Sequence, residues 1–329
     1  MRDAPAAAST DETVAPGWSL PVRLRTWYRV CRSSDLPPGA VIGWDLPGRS
    51  FVVFRGRSDK TVHALAAHCA HMGTHLGGGD VVGDRLRCPL HHWEWDGAGH
   101  CRGDGCGPEE VLQATYPVVE RYGTVFLFNG PRPSHPPPGL SGFPEERCLA
   151  ISGPPVRLGC PWYAVAANGF DIRHLQTVHG RAPRKEPVLS RPDPYHLKLR
   201  CESRVTGASA VDRIIRWLSG DCIRVEVTSF GGSILAVESD LGRVRSAVML
   251  CLRPLPGGVE IAPIFGLLKD GIPILDALKI RCARWLYSSY MRKDVAFMEG
   301  MRFHPGSGGL QDVVLNEFLE FLGSLPAEA

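Results

Sequence analysis

The sequence has no run of about 18 apolar residues, the minimum for a helix that crosses a membrane. Its first residues, MRDAPAAASTDETVAP, include neither an apolar core nor paired arginines, so they lack the pattern of an export signal. No Gly-x-Gly-x-x-Gly segment is present, which excludes the usual fingerprint of a dinucleotide site. The net charge of +3 is too small to predict a nucleic-acid partner. Together these absences predict a cytoplasmic protein with no transmembrane segment.

Disulfide-type spacing is also absent among the 11 cysteines, so most of them are expected to be reduced thiols. Two cysteines differ because a histidine follows each of them closely, as Cys69-x-His71 and Cys88-x-x-His91. Two thiolates and two imidazoles bind either a tetrahedral zinc ion or a [2Fe–2S] cluster in which two His replace two Cys on one iron. The Cys-x-His spacing is tighter than the usual zinc knuckle, which favours the cluster. The neighbouring histidines are predicted to be loop residues rather than ligands: His68, His75 and His92.

A second candidate metal site lies in NGFDIRHLQTVHG, where Asp171, His174 and His179 form Asp-x-x-His-x-x-x-x-His. Two imidazoles and one carboxylate make the facial triad of non-haem Fe(II) oxygenases, which leaves metal positions open for O₂ and substrate. On a regular helix the two histidines would be about 140° apart, so both reach one metal only if the helix ends or bulges near residues 176–178. The same pattern also suits a helix start with Asn168 as N-cap and Asp171 as an acidic third residue, followed by two core histidines.

The carboxylate that completes this second site is predicted to be Asp294. It lies on an apolar stripe of a long C-terminal helix made up of Tyr287, Tyr290, Met291, Phe297, Met298 and Met301. A lone carboxylate on a buried stripe is costly unless it is paired or binds metal. Glu299, on another face of the helix, and Asp312, in the next helix, are the weaker candidates. The alternative to metal binding is an ion pair between Asp294 and an arginine such as Arg292 or Arg302.

The pattern of short strands and turns predicts an α+β protein with two domains. Residues 1–17 are expected to be a disordered tail, 18–130 an antiparallel β domain, 131–158 a proline-rich linker and 159–329 a second domain. Strands of the first domain are predicted at 27–31, 40–46, 50–56, 61–67, 116–122 and 124–130. The second domain has alternating strands over 196–266, a short helix at 210–218 and two terminal helices. The last helix carries an apolar stripe of Val313, Leu315, Phe318, Leu319 and Leu322.

The arrangement Cys-x-His-x-Gly-x-x-Leu … Cys-Pro-x-His-x-Trp, built on Cys69 and Cys88, closely resembles the Rieske family. The resemblance to the oxygenase component of Rieske non-haem iron oxygenases extends from about Trp18 to the C-terminus. It implies an N-terminal antiparallel β Rieske [2Fe–2S] domain and a C-terminal helix-grip, START-like catalytic domain with an antiparallel sheet and C-terminal helices. The implied ligands are Cys69, His71, Cys88 and His91 for the cluster, and His174, His179 and Asp294 for mononuclear Fe(II).

The same resemblance implies a homotrimer in which Asp171 links His174 to the cluster ligand that matches His91 in a neighbouring subunit. Electrons would come from NAD(P)H through a ferredoxin or a flavin-dependent reductase, as a separate protein. The run HMGTHLGGGDVVGDRLRCPLHHWEWDGAGHC is most similar to 3-ketosteroid 9α-hydroxylase and its sterol-processing relatives. A monooxygenase that hydroxylates an apolar, polycyclic substrate such as a steroid or terpenoid with O₂ is therefore expected.

Other functions stay open at this point. Oxidative demethylation or desaturation would use the same iron chemistry, and a Rieske electron carrier with a lipid-binding domain would be a protein of another class. Several apolar residues of the second domain could line a substrate pocket, or they could simply pack against its sheet. They are Ile214, Ile215, Trp217, Phe230, Ile234 and Phe265.

Overall fold

The computed structural model describes residues 20, 23–103, 106, 111–220, 222–303 and 312–327. The tail predicted over residues 1–17 lies outside them. The described chain is α+β: its strands pair in antiparallel fashion in four sheets, and its α-helices all follow residue 161. This confirms the predicted fold class.

Three small sheets form the N-terminal domain, in the orders β1-β11-β10, β2-β3-β4-β9 and β5-β6-β7-β8. The predicted strand at 116–122 is divided in two, because Pro117 has no N–H with which to continue the ladder. The strands are β1 (Trp27–Arg32), β2 (Val41–Leu46), β3 (Arg49–Arg55), β4 (Val62–Ala66), β5 (Asp80–Val82), β6 (Arg85–Arg87), β7 (Glu94–Trp95), β8 (Cys101–Arg102), β9 (Thr115–Tyr116), β10 (Val118–Arg121) and β11 (Thr124–Phe128).

Strand β3 supports the two loops that carry the Cys–His pairs because both of its faces are buried. Alternate side chains of a strand point to opposite faces, and the sequence FVVF is apolar at every position. Phe51 and Val53 pack into a core that includes β1 and β11. Val52 and Phe54 pack on the other side into a separate core that contains Cys69 and Cys88. The two Cys–His loops are therefore anchored to the middle of the domain rather than to an edge.

One pair of cysteines corrects the expectation of reduced thiols. Cys101 and Cys106 form a disulfide, with their Cα atoms 5.8 Å apart. The chain turns back at Gly103, whose φ of +102° is a conformation that favours glycine, so two thiols separated by five residues meet. The other nine cysteines are free thiols.

A nine-stranded sheet forms the second domain, and its main path runs β12-β20-β19-β18-β17-β16-β14. Two further strands join it at the sides, since β13 pairs with β20 and β15 with β16. The first two strands lie within 131–158, so the predicted linker contains two strands of this sheet. The strands are β12 (Cys148–Ser152), β13 (Val156–Leu158), β14 (Arg181–Pro183), β15 (Val188–Asp193), β16 (His196–Val205), β17 (Ile223–Phe230), β18 (Ile234–Asp240), β19 (Arg245–Leu255) and β20 (Gly258–Leu268).

Five α-helices accompany this sheet: α1 (Trp162–Asn168), α2 (Ile172–Thr177), α3 (Ala210–Ser219), α4 (Pro273–Met298) and α5 (Val313–Ser324). The predicted short helix and both terminal helices are confirmed. Two predicted stripe positions are wrong, because Phe297 in α4 is 63% exposed and Val313, the first residue of α5, is 73% exposed. None of the described helices combines the length and apolar character that crossing a membrane requires.

His135 joins the two domains. Its ring is 6% exposed, its Nε2 lies 3.2 Å from Thr26 Oγ1, and it stacks on Tyr195 at a centroid distance of 4.7 Å. Its carbonyl accepts a hydrogen bond from Trp27 Nε1 at 3.1 Å. Burial, with a smaller contribution from the nearby His196, lowers the pKa of His135 to about 4. The domain junction is therefore built around a neutral imidazole.

This imidazole predicts a pH-dependent stability. Between the ordinary pKa of 6.5 and the folded value of about 4 the unfolded chain binds a proton that the folded chain excludes, so stability decreases as the pH falls through this window. The loss reaches at most roughly 3 kcal/mol. Urea unfolding at several pH values should show a shallower acid-side slope for His135→Gln than for the wild type, and an unchanged slope would contradict this account.

Candidate metal centres

Two loops of the N-terminal domain carry the Cys–His pairs, and they share one backbone geometry. In each loop the cysteine carbonyl accepts a hydrogen bond from the amide four residues later, at 2.8 Å for Cys69 and 3.1 Å for Cys88. The cysteine amide donates to the carbonyl five residues later, at 2.9 and 2.8 Å respectively. The residue four positions after the cysteine has a positive φ in both loops, +76° at Gly73 and +60° at His92. His92 is therefore the turn residue of its loop.

The donor atoms of these loops form a thiol pair and an imidazole pair. Cys69 and Cys88 are 4% and 2% exposed, and their thiols are in hydrogen-bond contact. The rings of His71 and His91 meet edge to face at 4.9 Å, and Trp93 stacks on His71 at 4.1 Å. Burial raises the pKa of the Cys69 thiol, so a metal must displace a proton there. This division into two pairs fits a cluster that has two thiolates on one iron and two imidazoles on the other.

The second centre is built where helix α2 ends. His174 lies inside the helix and His179 follows its last residue, Thr177, so the helix ends within the predicted range of 176–178. Asp171 is itself the N-cap, and its side chain accepts a hydrogen bond from the His174 amide at 2.8 Å. The alternative cap at Asn168 is therefore wrong. Because Gly180 has a φ of +59°, the chain turns directly into β14 after the second histidine.

Asp294 comes from the far end of the chain, in helix α4, and meets both histidines. Its Oδ1 lies 3.1 Å from His174 Nε2 and 2.8 Å from His179 Nε2, and the two Nε2 atoms are 3.0 Å apart. The three donor atoms lie within 4.8 Å of one another, so all three could bind a single ion. Two imidazoles and one carboxylate are the donor set of the facial triad.

The pKa shifts of Asp294 and His179 suit a metal site. Burial alone would raise the pKa of the Asp294 carboxyl, but hydrogen bonds from His174 and His179 outweigh it and hold that pKa below its usual range. For His179, burial lowers the pKa, and the carboxylate offsets this only in part. A neutral imidazole beside a carboxylate anion is the state that binds a divalent cation, since a ligand nitrogen must give up its proton first.

The two centres differ in how their donors converge. Among the described residues, His174, His179 and Asp294 are the ones whose donor atoms come together in a group of three, all within 4.8 Å of one another. The donors on Cys69, His71, Cys88 and His91 do not converge in this way. A single tetrahedral zinc ion needs all four around one point. The donor geometry therefore favours two irons at the first centre, with the thiol pair on one and the imidazole pair on the other.

Residues to which the sequence analysis assigned no role at the metal site hold His179 in place. Tyr290 stacks on its ring at 3.7 Å, and Arg181 lies over the ring of Tyr290 at 5.3 Å. Arg181 in turn makes a buried ion pair with Asp212 at 3.0 Å. Asp212 also forms the capping box of helix α3 with Ser209. The Ser-x-x-Asp pattern of that box was readable in the sequence, whereas nothing local pointed to Arg181.

The rival carboxylates have other partners. Glu299 accepts a hydrogen bond from the Gly159 amide at 3.3 Å, and Asp312 is the N-cap of α5, where it accepts from the Leu315 amide at 3.1 Å. The alternative to metal binding paired Asp294 with an arginine. In the structure Asp294 instead contacts the two histidines, and Arg292 donates a hydrogen bond to Ser289 at 2.9 Å. The structure thus brings Asp294, of the three carboxylates, to the histidines.

The trio lies on the wall of a cavity of about 700 Å³ between the sheet and helices α2, α3 and α4. Its lining is mainly aliphatic, with Leu235, Val237, Val248 and Leu250 among the sheet residues. A cavity of this size and character suits an apolar small molecule.

The cavity lining includes only some of the residues that were predicted for a substrate pocket. Ile215 and Trp217 line the cavity. Ile214 does not line it and is 41% exposed. The other predicted residues pack in hydrophobic cores instead: Phe230 and Ile234 in one, and Phe265 in another. They failed as predictions because alternation along a strand does not reveal which face meets a cavity and which meets a core.

Comparison with known proteins identifies the first domain. Residues 26–117 match the family model of the Rieske [2Fe–2S] domain. The chain is 28% identical over 227 residues to a 3-ketosteroid-9-alpha-monooxygenase, oxygenase component, of Rhodococcus rhodochrous, an alignment that covers 60% of this chain and 57% of the relative. It is 29% identical over 158 residues to a cholesterol 7-desaturase of Bombyx mori, which covers 46% of this chain and 35% of the relative. The chain thus spans about half the length, or less, of these curated relatives.

Solved structures extend the match to the second domain. Dicamba monooxygenase bound to dicamba aligns with a TM-score of 0.64 at 19% identity, and the alignment covers 92% of this chain and 98% of the other. NdmA of Pseudomonas putida CBB5 with caffeine aligns with a TM-score of 0.65 at 16% identity, covering 91% and 88%. At this identity the comparison concerns the fold. The chain therefore contains a Rieske [2Fe–2S] domain at residues 26–117 and, over about nine tenths of its length, shares the fold of dicamba monooxygenase and NdmA.

Proposed function

We propose that this protein is the oxygenase component of a Rieske non-haem iron monooxygenase that hydroxylates an apolar, polycyclic substrate. The observation that carries the proposal is the trio of His174, His179 and Asp294 on the wall of an apolar cavity, in the same chain as a Rieske domain. A Rieske electron carrier would have no use for a second metal site in a cavity of this kind. The trio therefore favours the oxygenase over the carrier with a lipid-binding domain.

In this proposal Cys69, His71, Cys88 and His91 hold the cluster, and His174, His179 and Asp294 hold the iron. When bound, the cluster supplies electrons and the iron supplies O₂ activation. Asp294 contributes the negative charge that offsets part of the charge of Fe(II), while stacking on Tyr290 fixes the plane of the His179 ring. The aliphatic lining binds the substrate by burial of its apolar surface and keeps bulk water from the reacting carbon.

Asp171 is proposed to connect the two metal centres. One of its carboxylate oxygens is engaged by the His174 amide, which fixes the side chain at the start of the helix that carries this ligand. A carboxylate can accept hydrogen bonds from two imidazoles and fix both tautomers. The second imidazole would be His91 of a neighbouring subunit in a homotrimer, as the resemblance to the family implies.

The proposed electron donor is a ferredoxin or a flavin-dependent reductase that draws on NAD(P)H. A donor of this kind is consistent with the cytoplasmic location that we propose. The three arginines nearest the cluster loops in sequence already have acidic partners within the same domain: Arg85 with Glu94, Arg87 with Asp80 and Arg102 with Asp96. Their charges are therefore largely compensated, so we do not assign the docking of an acidic donor to them.

Desaturation is the second candidate reaction, because one of the relatives is named as a cholesterol 7-desaturase. Product analysis separates the two: hydroxylation adds one oxygen atom to the substrate, whereas desaturation removes two hydrogen atoms. Oxidative demethylation would instead release the methyl carbon as formaldehyde.

Metal analysis of the purified protein tests the proposal directly. We expect about three irons and two acid-labile sulfides per chain, from one [2Fe–2S] cluster and one mononuclear site. A carrier would give two irons and two sulfides, and a zinc-structured protein would be colourless. A preparation reconstituted with excess iron that still contains only two irons per chain would reject the oxygenase proposal while leaving the Rieske domain intact.

A further inference from the structure

Three of the hydroxyl groups on the wall of the cavity lie close together. Strand β18 lines the cavity with Leu235, Val237 and Ser239, and β19 lines it with Ser246, Val248 and Leu250. Each strand therefore contributes two aliphatic side chains and one serine. Ser239 and Ser246 are direct cross-strand partners, so their side chains share one face of the sheet. The third hydroxyl belongs to Tyr287 of helix α4, which also lines the cavity.

The three hydroxyls form one connected cluster. Tyr287 Oη lies 3.2 Å from Ser239 Oγ, to which it donates, and 3.3 Å from Ser246 Oγ. Burial raises the pKa of the Tyr287 hydroxyl, so it stays protonated and neutral. Ser246 is buried, at 6% exposed, whereas Ser239 and Tyr287 are half-buried on the wall of the cavity.

The cluster has one more proton than its internal hydrogen bonds use. Three hydroxyls supply three O–H donors, and the two bonds between them employ two. With Ser246 donating to Tyr287 and Tyr287 donating to Ser239, the remaining donor is the Ser239 O–H. A donor that faces an apolar cavity is satisfied best by an acceptor oxygen on the bound molecule, since an unpaired polar group in such surroundings is costly.

The cluster also has a fixed distance from the proposed iron site. Tyr287 precedes Asp294 by seven residues on one helix, which is about two turns and on the order of 10 Å along the axis. Both side chains line the same cavity. An oxygen bound at the cluster and the carbon presented to the metal ligands would therefore belong to opposite ends of an elongated molecule.

We propose that Ser239, Tyr287 and Ser246 form an oxygen-binding subsite, and that the substrate class is an elongated, otherwise apolar molecule with a carbonyl or hydroxyl group at one end. This inference rests on the proposed function, because it assigns the cavity to the substrate. Ser239 is the direct donor, and Tyr287 and Ser246 are positioning residues that orient its proton.

Equilibrium binding of a matched pair of probes tests the subsite without turnover. The ligands are 5α-androstan-3-one and the hydrocarbon 5α-androstane, which differ by one oxygen function. They are titrated into the full-length holoprotein with no reductase present. The wild type should bind the ketone about tenfold more tightly than the hydrocarbon, as one hydrogen bond in an apolar site predicts. In Ser239→Ala and Tyr287→Phe this ratio should fall towards one, while the affinity for the hydrocarbon stays unchanged.

Ser203→Ala provides the matched control, because Ser203 also lines the cavity but lies on β16 and outside the cluster. It should keep the wild-type ratio. Equal binding of the two probes by the wild type, a ratio preserved in both cluster variants, or no binding of either probe would overturn the subsite. Iron content measured on the same preparations reports separately on the proposed function. Ketone selectivity in a protein with only two irons per chain would therefore keep the subsite while rejecting the oxygenase.

Discussion

An Asp294→Ala protein is expected to lose its mononuclear iron and to form product well over 100-fold more slowly, while the spectrum of the cluster persists. Asp294 is the only carboxylate of the trio, and its Oδ1 contacts both histidine Nε2 atoms. Removing it leaves two neutral imidazoles, which hold Fe(II) poorly. Loss of an outer-shell partner alone costs about 10–100-fold, so loss of a ligand should cost more. Iron per chain, cluster absorbance and product formation are measured on one preparation.

Glu299→Ala is the control for this experiment. Glu299 is the C-cap residue of the same helix, and its carboxylate accepts from the Gly159 amide instead of contacting the histidines. The control should retain three irons per chain and the wild-type rate within about twofold, since its contact is a single exposed hydrogen bond. Iron retained at the wild-type level in Asp294→Ala would show that this carboxylate is not a ligand.

Asp171→Asn is expected to keep both metal centres and to lose the electron transfer between them, so that product formation falls by about 100-fold. Asparagine is as good an N-cap as aspartate, so helix α2 and the position of His174 should be preserved. The amide lacks the charge of the carboxylate and can no longer accept hydrogen bonds through both of its terminal atoms. Single-turnover measurement of the oxidation of the reduced cluster in the presence of substrate and O₂ reports on this step.

The chain supplies a control with the same local chemistry. Asp312 is the N-cap of α5 and accepts from an amide three residues on, as Asp171 does in α2. Asp312→Asn therefore repeats the loss of charge at a helix start outside the metal site, and it should leave cluster oxidation unchanged. A wild-type oxidation rate in Asp171→Asn would reject the connection between the centres. A slow rate accompanied by loss of iron would assign Asp171 to site assembly instead.

Local spacing was enough to predict the two Cys–His pairs, a part of the strands and the end of helix α2. Close spacing in sequence limits how far apart two side chains can lie, and two periods, 2.0 and 3.6 residues, identify strands and helices. The choice of Asp294 also followed from the sequence, because a charge on an apolar helical stripe needs a partner. It was the structure that paired it with His174, 120 residues away.

Contacts between distant elements decided the rest. Which face of each strand meets the cavity depends on the register of the sheet and on what packs against it, so Phe230 and Phe265 were predicted as pocket residues although both pack in cores. The Arg181–Asp212 ion pair and the hydroxyl cluster join elements that no local pattern relates. The sequence alone therefore determined the types of the candidate ligands and their spacing. Only the tertiary structure decided what surrounds the ligands, because burial and pairing are properties of a surface that several elements build together.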